Sequence, residues 1–194
     1  LRSARLKEAR AAHAAGTMGA AQLKQIEDEE IKIIIAKQEA LGLQMATDGE
    51  FRRSWWHFDF LGALGGCELY ETEGIQFQGV KSRGQSVRIK DRVDFPSDHP
   101  MLEHFRFLAA NTKVTPKMTI PSPTLLHFRG GRKAISTDVY PDLDGFFDDL
   151  AKAYRKAVAE FYKAGCRYLQ FDDTVWAYLC SKEEIEKARA RGDD

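Results

Sequence analysis

Two short stretches carry carboxylates where chemistry could be done: TDGEFRR, with Glu50 at its centre, and CRYLQFDD, ending in Asp172 and Asp173. Each acid follows a run of mostly apolar residues that reads as a buried strand of a parallel sheet, 43–47 in the first case. Acids there stand at the strand end where α/β barrels build their active sites. Two such carboxylates could grip a substrate ammonium through charge-assisted hydrogen bonds. The same acids could instead cap the helices that follow, or pair with Arg52 and Arg53 in an ordinary salt-bridged turn.

The neighbouring residues widen the choice. Gly49 allows a sharp turn and close approach of backbone to a ligand, and Arg52 and Arg53 suit carboxylates or phosphates. Trp55, Trp56, Phe58 and Phe60 follow at once. Such a cluster could stack on a flat heterocycle, although packing of the loop on its own core is the commoner use. IPSPTLLHFRGGR sets Ser122 after a strand, then His127 and Phe128, then a glycine-flanked basic loop. Cys67 and Cys166 read as small packing residues, and Cys180 falls past the last strand. No Ser-His-Asp order, Walker loop or HExxH is present.

The elements that must position these residues follow from periodicity. Helices are expected over 3–15 and 20–41, the second with Leu23, Ile26, Ile31, Ile34 and Leu41 as its apolar stripe. Asp28, Lys32 and Glu39 should lie wet on its far side. The stretch 70–95 alternates apolar and polar residues around Gly84, which predicts an inserted antiparallel hairpin. A short helix over 101–110 precedes a strand broken by Pro116 and Pro121. A helix over 144–164 should bury Phe147, Leu150, Ala151, Tyr154, Val158 and Phe161. Ser181 and Glu184 form a capping box that opens a last helix. Strands alternating with helices imply βαβ units in one domain spanning 1–194. Three or four strands cannot close a barrel, which typically needs about 250 residues.

Composition narrows the partners. With 29 basic and 29 acidic residues the net charge is zero, so bulk electrostatics favour neither nucleic acid nor an anionic membrane. A 43% hydrophobic content is too high for a disordered chain. Three widely spaced cysteines argue against a disulfide framework and for a reducing cytoplasm.

Taken in order, IEDEEIKIIIAKQEALGLQMATDGEFRR, MTIPSPTLLHFRGG and AVAEFYKAGCRYLQFDD resemble the catalytic barrel of the cobalamin-independent methionine synthase family, most closely its shorter single-barrel, methyltransferase-like relatives. The resemblance implies a (β/α)8 TIM barrel, of which this chain supplies the N-terminal part with an inserted β-hairpin. It also implies methyl transfer from a folate to the thiol of homocysteine or a related small thiol, activated by zinc. By the same resemblance Glu50 and Asp172 contact the substrate amine, Asp172 being the acid of the family's QxD. Asp173 stands where a glutamate is usual, and Ser122 joins the substrate contacts. Trp55, Trp56, Phe128 and Arg52 become the methyl-donor contacts, although a tryptophan used for the folate has no clear counterpart near Ser122. The family's zinc ligands lie downstream of the QxD strand, so they are expected beyond residue 194, and none of the three cysteines matches one. The implied protein is a cytoplasmic S-methyltransferase, compatible with a homo-oligomer, and these residues alone are expected to be inactive. Another zinc-dependent thiol alkyltransferase and a catalytically silent binding protein are the alternatives.

Overall fold

The computed structural model describes residues 2–72, 84–128, 130–190 and 192, together with the backbone of residues 76–77 and 80–81. Two helices open the chain, α1 (Ala4–Ala14) and α2 (Ala20–Ala40). Ser3 caps α1 by accepting the Leu6 amide at 3.1 Å. Ile31 and Ile35 of α2 are buried with Leu6, Phe51 and Leu108 in a small core over β1 (Met45–Ala46). The expected stripe is corrected at its C-terminal end, where Leu41 is 80% exposed. Asp28 and Glu39 are not simply wet either. Asp28 pairs with Arg52, and Glu39 accepts the Lys113 amide and the Thr112 hydroxyl. Strand β1 is shorter than the apolar run around it, because Gln38 takes over the next backbone groups, binding both the amide and the carbonyl of Thr47.

A short helix α3 (Phe58–Leu61) leads into β2 (Gly65–Glu71). Next come the paired segments β3 (Gln76–Phe77) and β4 (Val80–Lys81), and then β5 (Gln85–Asp94), antiparallel to β2. The antiparallel β2–β5 pair occupies the stretch where a hairpin is expected, and its first arm starts at Gly65, earlier than residue 70. Gly84 closes the long ladder, accepting the Thr72 amide, rather than forming the turn. Residues 73–75, 78–79 and 82–83 of the predicted hairpin lie outside the described residues. The register shifts between Gly65 and Cys67. Gly66 has φ +75° there, and a Cβ would stand 2.4 Å from the carbonyl oxygens of Asp91 and Arg92, so the bulge requires glycine.

Helix α4 (Pro100–Asn111) feeds β6 (Thr115–Pro121). After α5 (Thr124–Phe128) and a 3-10 turn at Arg132–Ala134, the long helix α6 (Leu143–Lys163) leads to β7 (Tyr168–Asp172). Helices α7 (Val175–Leu179) and α8 (Lys182–Ala190) end the chain. Ser181 accepts the Glu184 amide at 3.4 Å, while the Glu184 carboxylate pairs with Lys187. The parallel sheet runs β1-β6-β7, each pair joined through helices, and among the described residues it has three strands and does not close. The prolines do not break β6. Pro116 and Pro121 sit at its ends, where a missing amide costs least, and the Pro121 carbonyl accepts the Tyr154 hydroxyl at 2.8 Å.

One face of β6, Met118 and Ile120, enters the main core with Phe60, Phe95, Phe105, Phe146 and Phe161. The buried face of α6 is Phe146, Leu150, Ala153, Tyr154, Ala157 and Phe161, whereas Phe147 and Val158 are 44% and 43% exposed. The predicted stripe is thus rotated. Ala153 and Ala157 are the small positions that let the helix settle closely on the sheet, and a reading weighted to large side chains passes over them.

His99 is 1% exposed and stacks on Phe95, with ring centroids 4.8 Å apart. A single neutral tautomer suits both its bonds, with Nε2 donating to the Phe60 carbonyl and Nδ1 accepting the Met101 amide. Burial pushes its pKa from 6.5 down to about 4. The unfolded chain therefore takes up this proton first, and the His99 contribution is complete above about 6.5 and lost as pH falls towards about 4. The urea midpoint should drop through that window. In His99→Asn, which keeps a side-chain cap on α4, the drop should shrink to the parts owed to His104, also lowered to about 4 by burial, and to carboxylates such as Asp28, Glu39 and Asp149 that their partners hold low. An unchanged pH slope in the variant would refute the assignment.

Candidate functional site

The pleat of β6 sends alternate side chains to opposite faces. Since Met118 and Ile120 are buried against the helices, Lys117 and Thr119 lie half-buried on the other, open face, with buried Pro121 at its end. In register beside them on β7 stand Tyr168, Gln170 and Asp172. The row begins with Lys117 over the Tyr168 ring at 5.1 Å and ends at the acid. Gln170 Nε2 donates to Asp172 Oδ1 at 2.5 Å. Glu50 joins from the turn after β1, where Thr119 Oγ1 donates to Glu50 Oε1 at 2.9 Å. Glu50, Thr119, Gln170 and Asp172 thus lie along the same open face, near the C-terminal ends of three parallel strands.

The turn that delivers Glu50 is strained. Glu50 has φ +56°, the sole non-glycine residue with positive φ among the described residues, and follows Gly49 at φ +66°. Left-handed backbone at a glutamate costs of order 1 kcal/mol or more and persists only where its surroundings enforce it. Buried Asp48 accepts the Glu50 amide at 2.8 Å. Arg53, its side chain 2% exposed, lies beneath Glu50. It faces Glu50 Oε1 at 3.3 Å and donates to the carbonyls of Trp56 at 3.0 Å and Thr119 at 2.5 Å. The Glu50 side chain stays 35% exposed, so the carboxylate is both braced and reachable.

The other expected site residues separate. Ser122 is 3% exposed. Its amide donates to the Asp172 carbonyl at 2.9 Å and its hydroxyl shares a 2.6 Å hydrogen bond with Thr124. Asp173 accepts the Val175 amide at 2.9 Å and the Thr124 hydroxyl at 3.2 Å, so it holds the turn that enters α7 and ties it to the loop after β6. Arg52 turns away from the open face, pairing with Glu27 and Asp28 of α2 and lying 4.9 Å from the Phe107 ring. Trp55 and Trp56 pack against the main core, and the Trp55 amide is held by Asp59 at 2.7 Å. Phe128 packs on the same core and lies 5.0 Å from the Tyr178 ring of α7. Of the residues proposed from sequence, Glu50 and Asp172 are the pair left on the open face. Thr119, Gln170 and Arg53 complete it, and the strand's own alternation, read from Thr119 and Gln170, was the signal that could have found the first two.

The residues described do not fit a zinc site. No group of three or more His, Cys, Asp or Glu that could hold a metal occurs among them. Burial pushes the Cys67 thiol up to about 12 and that of Cys166 up as well, so neither is a thiolate near neutral pH. No helix among the described residues is long and apolar enough to cross a membrane.

Parallel strands joined through helices, with polar residues gathered at their C-terminal ends, define a mixed α/β fold. The particular family follows from sequence. Residues 2–189 match the family described as Cobalamin-independent synthase, Catalytic domain, and the chain belongs to it. It is 49% identical over 198 residues to the uncharacterized protein YxjH of Bacillus subtilis, covering 100% of this chain and 51% of that protein. A Listeria monocytogenes structure, provisionally assigned as a vitamin-B12 independent methionine synthase, is 45% identical with a TM-score of 0.78, covering 94% of this chain and 52% of that one. A B12-independent methionine synthase from Shewanella sp. W3-18-1, in complex with selenomethionine, shares the fold at 17% identity and TM-score 0.61, over 88% of this chain and 48% of that one. The chain spans about half the length of the relatives it matches.

Arg53 is the brace that the site depends on. Lysine could not reach both carbonyls and the carboxylate at once. Arg53→Lys should therefore lower stability by about 2–3 kcal/mol, the cost of leaving buried partners unmet. Urea unfolding measures it, and a loss within error of zero would mean the brace is dispensable.

Proposed function

We propose that the open face binds the α-ammonium group of a small sulfur-containing amino acid between Glu50 and Asp172, as part of a protein that transfers a methyl group to homocysteine. The observation that carries this reading is the reachable carboxylate of Glu50, held by Thr119 and Arg53 in a left-handed turn at the strand ends. Strain kept at one acid, with its side chain left partly open, is what a preorganised ammonium site requires. Asp172, oriented by Gln170, supplies the second acceptor. The selenomethionine bound by the Shewanella relative belongs to the same ligand class.

In the whole protein, homocysteine and a methylated folate are the proposed substrates. Zinc would supply a thiolate nucleophile when bound. The residues described here offer no ligand set for it, so their part is to hold and orient the amino-acid end of the substrate. Phe128, Trp55 and Trp56 are proposed donor contacts only through movement of the core-packed loops that carry them. Another zinc-dependent thiol alkyltransferase would use the same ammonium contacts, and a silent binding protein would keep them without turnover.

Calorimetry with L-methionine and with its deaminated analogue, 4-(methylthio)butanoate, separates ammonium recognition from apolar binding. Glu50→Gln and Asp172→Asn should each weaken L-methionine by about tenfold or more, as expected for loss of a charge-assisted bond, and leave the analogue unchanged. Equal affinity of the native chain for both ligands would remove the ammonium from the reading.

A further inference from the structure

The turn at residues 49–53 exposes a row of main-chain carbonyls, and two arginines from the beginning of the chain converge on it. Arg10, on α1, directs Nη1 to the carbonyls of Phe51 at 3.2 Å and Arg52 at 3.1 Å, and Nη2 to the Ser54 hydroxyl at 3.1 Å. Arg2 donates to the carbonyls of Phe51 at 3.3 Å and Glu50 at 3.0 Å, and also to that of Arg53. Four successive carbonyls are therefore gathered by two guanidinium groups. Glu27 of α2 backs Arg10 at 2.8 Å, and their side chains are only 22% and 10% exposed. Glu27 also meets Arg52 at 3.5 Å, which ties the outer side of the turn to the same helix. Arg10 and Glu27 bond to the turn and to each other, while Arg2 also lines a cleft beside Glu50 with Lys7, Gly49 and Phe51. Their common effect is on the backbone that sets where Glu50 projects.

We propose that Arg10, seated by Glu27 and assisted by Arg2, is a positioning residue. It locks the left-handed turn so that Glu50 is presented to the open face before any ligand arrives. The physical reason is the strain described above. A glutamate at positive φ relaxes to an extended or right-handed conformation unless its neighbours are fixed. Arg10 holds the Phe51 and Arg52 carbonyls with Nη1 and the Ser54 hydroxyl with Nη2, and the single nitrogen of a lysine cannot span all three. The inference rests on the reading of Glu50 as the ammonium contact, and adds which residues outside the site determine its affinity.

The test uses Arg10→Gln and Arg10→Lys in the 194-residue chain, each read two ways. The first readout needs no ligand: amide hydrogen exchange in peptides covering residues 48–54, with α6 as an internal reference. Arg10→Gln should speed exchange there by about tenfold, as local opening becomes easier, while α6 is unchanged, and Arg10→Lys should fall between. The second is L-methionine affinity in a double-mutant cycle with Glu50→Gln. Arg10→Gln should weaken binding about five- to tenfold in the native background and not at all in the Glu50→Gln background, because it acts through that residue. Unchanged exchange over 48–54 overturns the lock. An equal loss of affinity in both backgrounds overturns its action through Glu50. If native protein shows no preference for L-methionine over its deaminated analogue, the ammonium reading fails by itself, and the exchange result still decides whether Arg10 holds the turn. Should Arg10→Gln fail to fold, the lysine variant carries both readouts.

Discussion

Strand β6 is paired on both sides, and the period-two alternation of its side chains governs the layout of everything around it. Because Met118 and Ile120 must be buried against α4 and α6, Thr119 is forced to the other face, and parallel register then sets Gln170 beside it and Asp172 beside Pro121. A slip of one residue would put Thr119 into an apolar core without a partner and turn Ile120 out to the open face. Several independent bonds resist that slip. Tyr154 holds the Pro121 carbonyl from α6, Arg53 holds the Thr119 carbonyl from the turn after β1, and the Ser122 amide is held by the Asp172 carbonyl. The packing that stabilises the helical side thus determines the chemistry presented on the open side.

The two acids that this arrangement leaves reachable are supported differently. Asp172 belongs to a strand, and its position follows from the ladder and from Gln170 two residues earlier. Glu50 belongs to a turn, where no ladder exists, and its position is set by side chains drawn from three parts of the chain: Arg2 and Arg10 at its start, Asp48 and Arg53 in the turn itself, and Thr119 of β6. A strand-borne group tolerates changes around it better than a turn-borne one. The cost of holding Glu50 therefore falls on arginines, of which Arg53 is buried with its Nε left without a partner. Arg52 and Arg53, adjacent in sequence, divide this work by facing opposite sides of the turn.

Much of the framework was legible from residue order alone. Helix α2, the hairpin, α6 and the strand-end acids all follow from periodicity and from glycine placement. What was not legible depended on which of two similar residues faces which side. Asp172 and Asp173 are adjacent acids, and the end of β7 falls between them, so that the first joins the open face while the second holds the turn into α7. Arg52 and Arg53 carry the same group, and the turn's left-handed residue decides between α2 and Glu50. On α6, Phe147 looked more like a core residue than Ala153, yet close helix-to-sheet packing selects the smaller side chain. Ser122 carried the right chemistry for a ligand, and its burial against Thr124 removes it from reach. These are tertiary decisions, made by register and by burial.

The polar row on the open face is also an argument about what that face is for. A sheet face covered by apolar packing would be expected to carry side chains like Met118 and Ile120 on both sides, as strands buried on both faces do. Instead β6 and β7 present Lys117, Thr119, Gln170 and Asp172 there, with partners chosen among themselves and from Glu50. Any surface laid over this face must therefore meet carboxylate and amide groups with donors of its own. The ammonium group we propose meets that demand, since it brings donors without acceptors. An apolar partner does not, because covering Glu50 and Asp172 without replacing their water would cost more than the contact returns. The chemistry of the face thus favours a small cationic ligand end over an apolar cover.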